Sequence, residues 1–506
     1  MISVFLFGNH ATISQANQNA HNEECTIGVA SGKATQDGRP IIWKTRDTSE
    51  ENNEVFYNSS YDHKFISVIN AGKTYAWMGV NECGFAILNS NSSDLTKSGD
   101  SGISNGSLMK HALGNFATVI EFEEYLINTN NSGRYTHANF AVMDPTGAAA
   151  IFETAGHEFW KFDASDSTLA PDGYVLRTNF AFNGDAKNGI HDGLDSIERY
   201  RRQVQLIRDF YDGDSLNYRS ILRYQMRDFS DYDSNPVPVP FPSQWISGRP
   251  YGYIFCYVSI CRSISVSAAV IQGVLPGEKA KLSTMWTILG QPASAIAVPY
   301  WPVGNTPAAA NGSSTAPLCD IANQIKLLLF DYAENTNYID SYKLRDENGY
   351  GLWAHTFFAE DSIFTAAEEK LDRWRTNTPT STEMRATETQ LAEYALSSLQ
   401  TAYDKLITLV SPVVVTTTPT DFVLEQNFPN PFNAQTIFKY NVPITAMITL
   451  NIYNSLGQQV AILVNEQKAS GRYQVVFNAS DLISGLYFYQ LKSNTFTATK
   501  KFILIK

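Results

Sequence analysis

The feature that most constrains this fold is a pair of apolar, β-rich runs near the start of the chain, joined by a turn. Residues 25–29 (Cys-Thr-Ile-Gly-Val) form the first run and residues 41–43 (Ile-Ile-Trp) form the second. Between them lies Asp37-Gly38, and glycine tolerates the positive φ that a hairpin turn needs. The pattern therefore predicts an antiparallel β-hairpin that opens with a cysteine.

A charged cluster ends the second run of this hairpin. Lys44, Arg46 and Asp47 follow directly, and the predicted pairing returns all three to the neighbourhood of Cys25. A cation beside a thiol lowers its pKa and favours the nucleophilic thiolate. The hairpin thus predicts an activated cysteine, with either Lys44 or Arg46 setting its electrostatics. The alternative is that Cys25 is a small buried hydrophobe, the usual role of a lone cysteine in a strand.

The residues of this hairpin resemble the mature start of cysteine-type N-terminal-nucleophile hydrolases. That superfamily includes C69-type dipeptidases, choloylglycine hydrolases with penicillin V acylase, and acyl-CoA:isopenicillin N acyltransferases. The resemblance lies in Cys25-Thr26, Lys33-Ala34-Thr35, Asp37-Gly38 and Asp47. It implies that residues 1–24 are a signal and pro-segment whose removal frees the α-amine of Cys25 as general base, oriented by Asp47. A free α-amine has a pKa of about 7.7–8.0, so a usable fraction is unprotonated at neutral pH.

Three later stretches resemble motifs of choloylglycine-type hydrolases. Residues 79–89 close on Asn89, residues 172–179 close on Asn179, and the segment Ser-Ile-Glu-Arg-Tyr places Arg199 as a basic residue over the site. The resemblance implies that both asparagines donate to an oxyanion, where losing one donor typically costs about 10²–10³ in rate. The alternative is that these asparagines are ordinary turn and strand-end residues.

The rest of residues 25–410 reads as mixed helix and strand. Ser107 is predicted to cap a helix over 108–115. Residues 284–310 are expected to be mostly irregular. The resemblance implies the fold class α+β, with a four-layer αββα sandwich over 25–345 and a helical extension over 346–410. Further helices and strands are predicted at 117–127, 321–335, 362–374 and 383–409, and at 65–69, 74–78, 138–144, 148–154 and 157–162.

A linker at 411–420, rich in threonine, valine and proline, precedes a separate β domain. Its motifs LEQNFPNPFN, YNSLG, SGLYFY and the ending KKF resemble type IX secretion sorting domains over residues 421–506. We expect an all-β, immunoglobulin-like sandwich there. The resemblance implies recognition by the type IX secretion machinery, export through the periplasm of a Gram-negative bacterium, and a secreted or surface-attached product. As a signal peptide, however, the N-terminal segment is a poor match, with a short apolar run at 2–7.

Charge and composition argue against several other functions. A net charge of −12 over 506 residues disfavours nucleic acid or an anionic membrane as a partner. No apolar run approaches the roughly 18 residues of a membrane helix. The eight histidines form no HExxH or Cys/His cluster, so neither a catalytic metal nor another cofactor is predicted. Residues 183–195 could hold Ca²⁺ through oxygen ligands, although a solvated loop is favoured.

Five cysteines do not make a disulfide framework. Cys256 and Cys261 are predicted on one strand over 253–260, where they would lie about 16 Å apart on opposite faces and stay unpaired. Arg262 follows at the end of that strand, and an exposed salt bridge is favoured there over contact with a substrate.

Together these features predict a secreted cysteine amidohydrolase. It would cleave a linear C–N amide bond, in an N-acylated small molecule or a dipeptide, through an acyl-enzyme on Cys25. Two alternatives stay open: an acyltransferase that uses the same intermediate, and a non-catalytic surface protein that uses the same fold for binding or adhesion.

Overall fold

The computed structural model describes most of the chain from residue 23 to residue 504. The described residues are 23–92, 94–95, 102–184, 194–230, 239–241, 252–312, 316–332, 335–346, 348–410, 419, 421–427, 430, 432, 435–479 and 482–504.

The N-terminal part, up to residue 410, is a mixed helix and sheet structure. Its strands are β1 (Glu24–Ala30), β2 (Ile41–Asp47), β3 (Asn53–Asn58), β4 (Phe65–Asn70), β5 (Met78–Asn81), β6 (Ala86–Asn91), β7 (Ala138–Met143), β8 (Ala149–Thr154), β9 (Phe159–Asp163), β10 (Tyr174–Arg177), β11 (Tyr253–Phe255), β12 (Ser265–Gln272), β13 (Thr284–Leu289), β14 (Val298–Tyr300) and β15 (Tyr338–Asp340). Its helices are α1 (Asn105–Asn115), α2 (Val119–Thr129), α3 (Leu194–Asp212), α4 (Tyr218–Ser220), which continues as a π turn (Ile221–Gln225), α5 (Pro317–Leu329), α6 (Ser341–Leu344), α7 (Leu352–Thr376) and α8 (Ser381–Val410), with 3-10 turns at Ala280–Leu282 and Pro292–Ser294.

Two antiparallel sheets form the middle of this part. The first sheet has the strand order β10-β1-β2-β12-β13-β14, and the second runs from β3 to β9 in chain order. Strands β1 and β2 contact β6 and β7 of the second sheet, so the two sheets lie face to face over a shared apolar core. That core explains why β1, β12 and the first three residues of β2 are mainly apolar: central strands between two covered faces bury both sets of side chains.

Helices cover both outer faces. Helices α1 and α2 contribute Leu108 and Phe122 to a second apolar cluster. The same cluster contains Phe140 of the second sheet. On the other side α3, α5, α7 and α8 contact strands of the first sheet and bury residues such as Phe364 in its core. The layers therefore run helix, sheet, sheet, helix, and the helices beyond residue 346 belong to the same core as the sheets.

Local chemistry accounts for the element that carries the site. Strands β1 and β2 pair antiparallel, with Cys25 opposite Arg46 and Glu24 opposite Asp47. Gly38 turns the connection with a φ of 75°, a conformation that suits glycine. The predicted hairpin is therefore present, although its connection spans the ten residues between Ala30 and Ile41.

Several predictions about single elements were wrong. Residues 284–310 are mostly irregular, as predicted, but the short strands β13 and β14 within them were missed; their side chains are buried on both faces, so the period-two signal of a half-buried strand is missing. Strand β5 starts only at Met78. Helix α1 begins after Ser104, three residues before the predicted cap Ser107, because both serines offer the same signal. The strand expected to carry Cys256 and Cys261 ends at Phe255; both thiols are free and buried.

The C-terminal part is all-β, as predicted. Its strands are β16 (Val423–Leu424), β17 (Gln435–Val442), β18 (Ala446–Asn454), β19 (Gln459–Lys468), β20 (Gly471–Asn478), β21 (Gly485–Lys492) and β22 (Thr497–Leu504). They form two antiparallel sheets with the orders β16-β17-β20 and β19-β18-β21-β22. Alternate residues of β21, such as Tyr489 and Leu491, turn inward against Phe438 and Phe502. The immunoglobulin-like class remains an expectation.

Candidate active site

Strand pairing places the Cys25 thiol beside two cations. Because side chains alternate along a strand, Cys25, Lys44 and Arg46 share the face of the hairpin that meets the second sheet. The Lys44 ammonium donates to Oδ1 of Asn89 on β6 at 2.8 Å. The Arg46 guanidinium lies 4.6 Å from the centre of the Trp77 ring. Both candidate cations therefore lie on the thiol's side of the sheet.

The thiol of Cys25 is in its neutral form while the chain is intact. It is completely buried, and burial raises the pKa of the Cys25 thiol to about 11, while the neighbouring Lys44 charge pulls that pKa down. Burial also lowers the pKa of Lys44, and the Cys25 sulfur opposes that change. Among the cations, Lys44 lowers the thiol pKa more than Arg46 does. Lys44 is therefore the cation that dominates the electrostatics of the thiol.

Asn179 and Arg199 hold the peptide backbone at Cys25. The Cys25 N–H donates to Oδ1 of Asn179 at 2.8 Å, and Nη2 of Arg199 donates to the same oxygen at 3.0 Å. The Cys25 carbonyl accepts from Nη1 of Arg199 at 2.9 Å. On the other side of the cysteine, Nδ2 of Asn179 donates to the carbonyl of Glu23 at 3.0 Å. Two residues far along the chain thus fix the backbone on both sides of the Glu24–Cys25 bond.

Asn89 presents an unused donor to the same pocket. Its Oδ1 accepts from Lys44, but its buried Nδ2 has no hydrogen-bond partner among the described residues. Buried polar groups are nearly always paired in folded proteins, so an unpaired amide beside a thiol indicates a place for an acceptor that arrives later.

Asp47 lies on the opposite face of the hairpin from the thiol. Its carboxylate accepts from Oγ of Ser265 at 2.7 Å and lies 3.7 Å from Nη1 of Arg262. The acceptor on the Cys25 nitrogen is thus the amide oxygen of Asn179 rather than this carboxylate. Its negative charge still raises the pKa of Cys25.

Arg262 is the residue that the sequence reasoning misplaced. Its side chain is 1% exposed and pairs with Glu24 and Asp47, so the expected exposed salt bridge is wrong. The physical reason is that β12 begins three residues later as a strand buried on both faces, next to β2. The mainly apolar segment 265–272 could have indicated that Arg262 is buried. A residue just before a central strand lies at the edge of the core.

The described residues include no group of three or more His, Cys, Asp or Glu side chains placed to hold a metal ion. The possible Ca²⁺ loop at 183–195 falls almost entirely outside the described residues. None of the described helices is long and apolar enough to cross a membrane.

A family model matches the end of the chain, and solved structures resemble about half of it. Residues 426–506 match the family model of secretion system C-terminal sorting domains, in agreement with the resemblance of 421–506. A tail of this kind indicates secretion or cell-surface attachment. No curated protein sequence matches the chain significantly.

Solved structures resemble about half of the chain. Penicillin V acylase from Agrobacterium tumefaciens is 16% identical, with a TM-score of 0.33, covering 55% of this chain and 85% of its own. A mutant of conjugated bile acid hydrolase from Clostridium perfringens is 13% identical, with a TM-score of 0.30, over 52% of this chain and 89% of its own. A Caenorhabditis elegans orthologue of N-acylethanolamine-hydrolyzing acid amidase is 11% identical, with a TM-score of 0.30, over 49% and 92%. Likenesses this distant do not determine what this chain acts on.

Proposed function

We propose that this chain is the precursor of a secreted cysteine amidohydrolase of the N-terminal-nucleophile type. The observation that carries the proposal is the hydrogen bond of 2.8 Å from the Cys25 nitrogen to Oδ1 of Asn179. It fixes that nitrogen beside its own thiol, in a pocket that also holds an unused amide donor on Asn89. A nucleophile, a nitrogen that can become a base and an oxyanion donor are therefore in one place.

Cleavage of the Glu24–Cys25 bond would switch this arrangement on. An amide nitrogen cannot accept a proton, whereas a free α-amine has a pKa of about 7.7–8.0 and can do so near neutral pH. Asn179 Oδ1 would then accept a hydrogen bond from the new amine and keep it in place. The thiol is completely buried in the intact chain, and Glu23 lies close enough to raise its pKa, so departure of Glu23 and Glu24 would open one side of the thiol.

The reaction follows from these positions. The sulfur of Cys25 forms a bond to the substrate carbonyl carbon while the thiol proton passes to the α-amine. Nδ2 of Asn89, and Nδ2 of Asn179 once Glu23 has left it, donate to the developing oxyanion. The C–N bond then breaks, and the α-ammonium returns its proton to the leaving amine. Water then attacks the thioester and gives a proton to the α-amine, the carbon–sulfur bond breaks, and the α-ammonium returns that proton to the sulfur as the acid is released.

The surrounding charges support these steps. Lys44 stabilises the thiolate, as its effect on the Cys25 pKa indicates. Arg199 holds the Cys25 carbonyl and Asn179 together, so it positions both groups. Asp47 pairs with Arg262 behind the hairpin. Arg46 lies beside the thiol and is proposed to contact the substrate.

The proposed substrate is an N-acylated small molecule or a dipeptide with a linear C–N amide bond. The match of residues 426–506 to a secretion sorting domain supports delivery to the outside or the surface of the cell. We propose that the secretion system is type IX.

N-terminal sequencing with intact mass, on protein recovered from outside the producing cell, tests the proposal. We expect the chain to begin at Cys25 and a Cys25→Ala variant to keep the Glu24–Cys25 bond. A wild-type chain that starts upstream of Cys25 and still hydrolyses amides would overturn it.

A further inference from the structure

The last two residues before Cys25 place their carboxylates on three buried arginines. Glu23 accepts from Nη2 of Arg46 at 2.6 Å and from Nε of Arg46 at 3.1 Å. Glu24 forms an ion pair with Arg262 and lies 3.5 Å from Nη2 of Arg199. The three arginine side chains are at most 1% exposed. These five residues are called the site cluster below.

Glu24 stands where the acyl part of a substrate must stand. The carbonyl that Cys25 would attack first is that of Glu24 itself. One thiol and one set of oxyanion donors serve both that bond and any later substrate, so both acyl groups have to occupy the same place. The Glu24 side chain therefore marks the pocket that receives the acyl side chain of a substrate.

Glu23 extends this position by one residue. Its carbonyl accepts from Nδ2 of Asn179 at 3.0 Å, while its carboxylate reaches Arg46. The first contact ends when Glu23 departs, which leaves that Nδ2 donor for the oxyanion. A second substrate carboxylate, one residue further from the scissile bond, could take over the contact with Arg46.

Removal of both glutamates changes the charge balance of the pocket. Lys44, Arg46, Arg199 and Arg262 stay, and Asp47 is the carboxylate that stays with them. Buried cations are costly without a counter-charge, so the emptied pocket favours an anionic occupant. The chain as a whole has a net charge of −12, so this positive pocket is a local feature rather than a property of the surface.

We propose that the enzyme selects an acidic acyl group, a glutamyl residue or a similar carboxylate-bearing acyl chain, linked through the amide bond that Cys25 attacks. Arg262 and Arg199 bind the carboxylate next to the scissile bond. Arg46 binds a second carboxylate where the substrate has one. This inference rests on the proposed function, because it assigns the acyl side of the same reaction.

Matched amides test the first subsite. Mature enzyme beginning at Cys25 is given the aminomethylcoumarin amides of acetyl-Glu and acetyl-Gln, which have nearly the same shape and differ in charge. Hydrogen bonds between charged groups are worth roughly 10- to 100-fold in affinity, so kcat/KM for the glutamyl amide should be higher by about that factor. Equal hydrolysis of the two amides, or a preference for the neutral one, overturns the acidic selectivity and leaves the amidohydrolase intact.

The second subsite has its own control. For wild-type enzyme, acetyl-Glu-Glu-aminomethylcoumarin should exceed acetyl-Gln-Glu-aminomethylcoumarin by roughly 10-fold. In Arg46→Met that ratio should fall to near one, whatever happens to the absolute rate. A ratio that stays unchanged in the variant contradicts the role of Arg46.

Calorimetry separates this inference from the proposed function. Acetyl-Asn-Glu-Glu, which has the sequence of residues 22–24, should bind mature protein roughly 10- to 100-fold more tightly than acetyl-Asn-Gln-Gln. Acidic binding without hydrolysis of any amide would support the pocket and overturn the amidohydrolase. Equal binding of the two peptides would overturn the pocket.

Discussion

Two groups of buried arginines and carboxylates in this molecule differ in where their carboxylates come from. In the site cluster both glutamates, Glu23 and Glu24, precede Cys25 and leave if the chain is cut there. In a second group, the helix-anchor cluster, Glu360 of α7 bonds Arg227 and Arg223, with the nearest Arg227 contact at 2.7 Å. All three residues of that group follow Cys25 in the chain, so a cut at the Glu24–Cys25 bond removes none of them.

The two clusters also differ in how completely they are satisfied. Burial alone would raise the pKa of Glu360, but Arg227, Arg223 and the Ala297 amide hold that pKa below its ordinary value. All three side-chain nitrogens of Arg227 donate to protein oxygens. In the site cluster, by contrast, Nε of Arg199 is buried and unbonded among the described residues. Buried ion pairs therefore occur in both clusters, and the removable carboxylates are what distinguish the site cluster from the helix-anchor cluster.

The largest expected effect is that of Cys25→Ala. Loss of the Cys25 sulfur should lower amide hydrolysis at least about 10⁴-fold and leave the pro-segment attached, because both proposed steps use that sulfur. Hydrolysis rates and intact mass measure both. Cys83→Ala removes a half-buried thiol in the turn between β5 and β6 and serves as the control, with wild-type activity expected. Comparable loss in both variants would show that the effect is not specific to the site.

Glu360→Ala tests the other side of the comparison. Leaving Arg227 buried without its carboxylate should lower the free energy of unfolding by about 3–5 kcal/mol, measured by urea denaturation. The adjacent Asp361 also pairs with Arg223 but is 58% exposed, so Asp361→Ala should cost less than about 1 kcal/mol. If both variants lose the same stability, burial is not what distinguishes the helix-anchor cluster.

Asn89→Ala sharpens the distinction between an unused donor and a bonded one. We expect kcat/KM to fall about 10²–10³-fold, because the proposed oxyanion donor Nδ2 is lost. Stability should fall by about 1.5–3 kcal/mol, because the buried Lys44 ammonium loses its acceptor Oδ1. In the control, Asn81→Ala, the side-chain amide loses its hydrogen bonds to the Leu113 and Phe116 carbonyls. That variant should lose about 1–3 kcal/mol of stability and keep its activity per folded molecule. The reverse pattern would assign Asn89 to structure alone.

The smallest effect concerns which cation acts on the thiol. In the mature protein, Lys44→Met should raise the pKa of Cys25, because a positive charge that favours the thiolate is lost. The thiolate fraction at pH 8 falls, and alkylation by iodoacetamide should slow roughly tenfold, with its pH–rate profile moved to higher pH. Arg46→Met should move that profile less, since Lys44 lowers the pKa more. A larger shift in Arg46→Met would reverse the assignment.

Local pattern was enough for the hairpin and for the all-β C-terminal part. Asp37-Gly38 between two apolar runs predicted the pairing that returns Lys44 and Arg46 to Cys25, and alternation predicted strands such as β21. Both features depend on residues close together in the chain, which is where turn chemistry and periodicity act.

The contacts across the site could not be derived in this way. Asn179 is 154 residues from Cys25, and Arg262 is 238 residues from Glu24. Their positions depend on the pairing of β10 with β1 and of β12 with β2, which no local pattern specifies. Family resemblance indicated Asn179. Arg262 was missed because a charged side chain is usually exposed to solvent. The acidic pair Glu23-Glu24 was visible in the sequence, but its partners were not.

Glu24 is the first residue of β1 and pairs with Asp47 across the strand ladder. Cutting the Glu24–Cys25 bond would therefore not by itself release Glu23 and Glu24 from the site. A severed segment would still be held by its ladder contacts and ion pairs, and would act as a competitive inhibitor until it dissociates. Activity would then lag behind cleavage, and dilution, which disfavours rebinding, would reveal catalysis that a concentrated sample conceals.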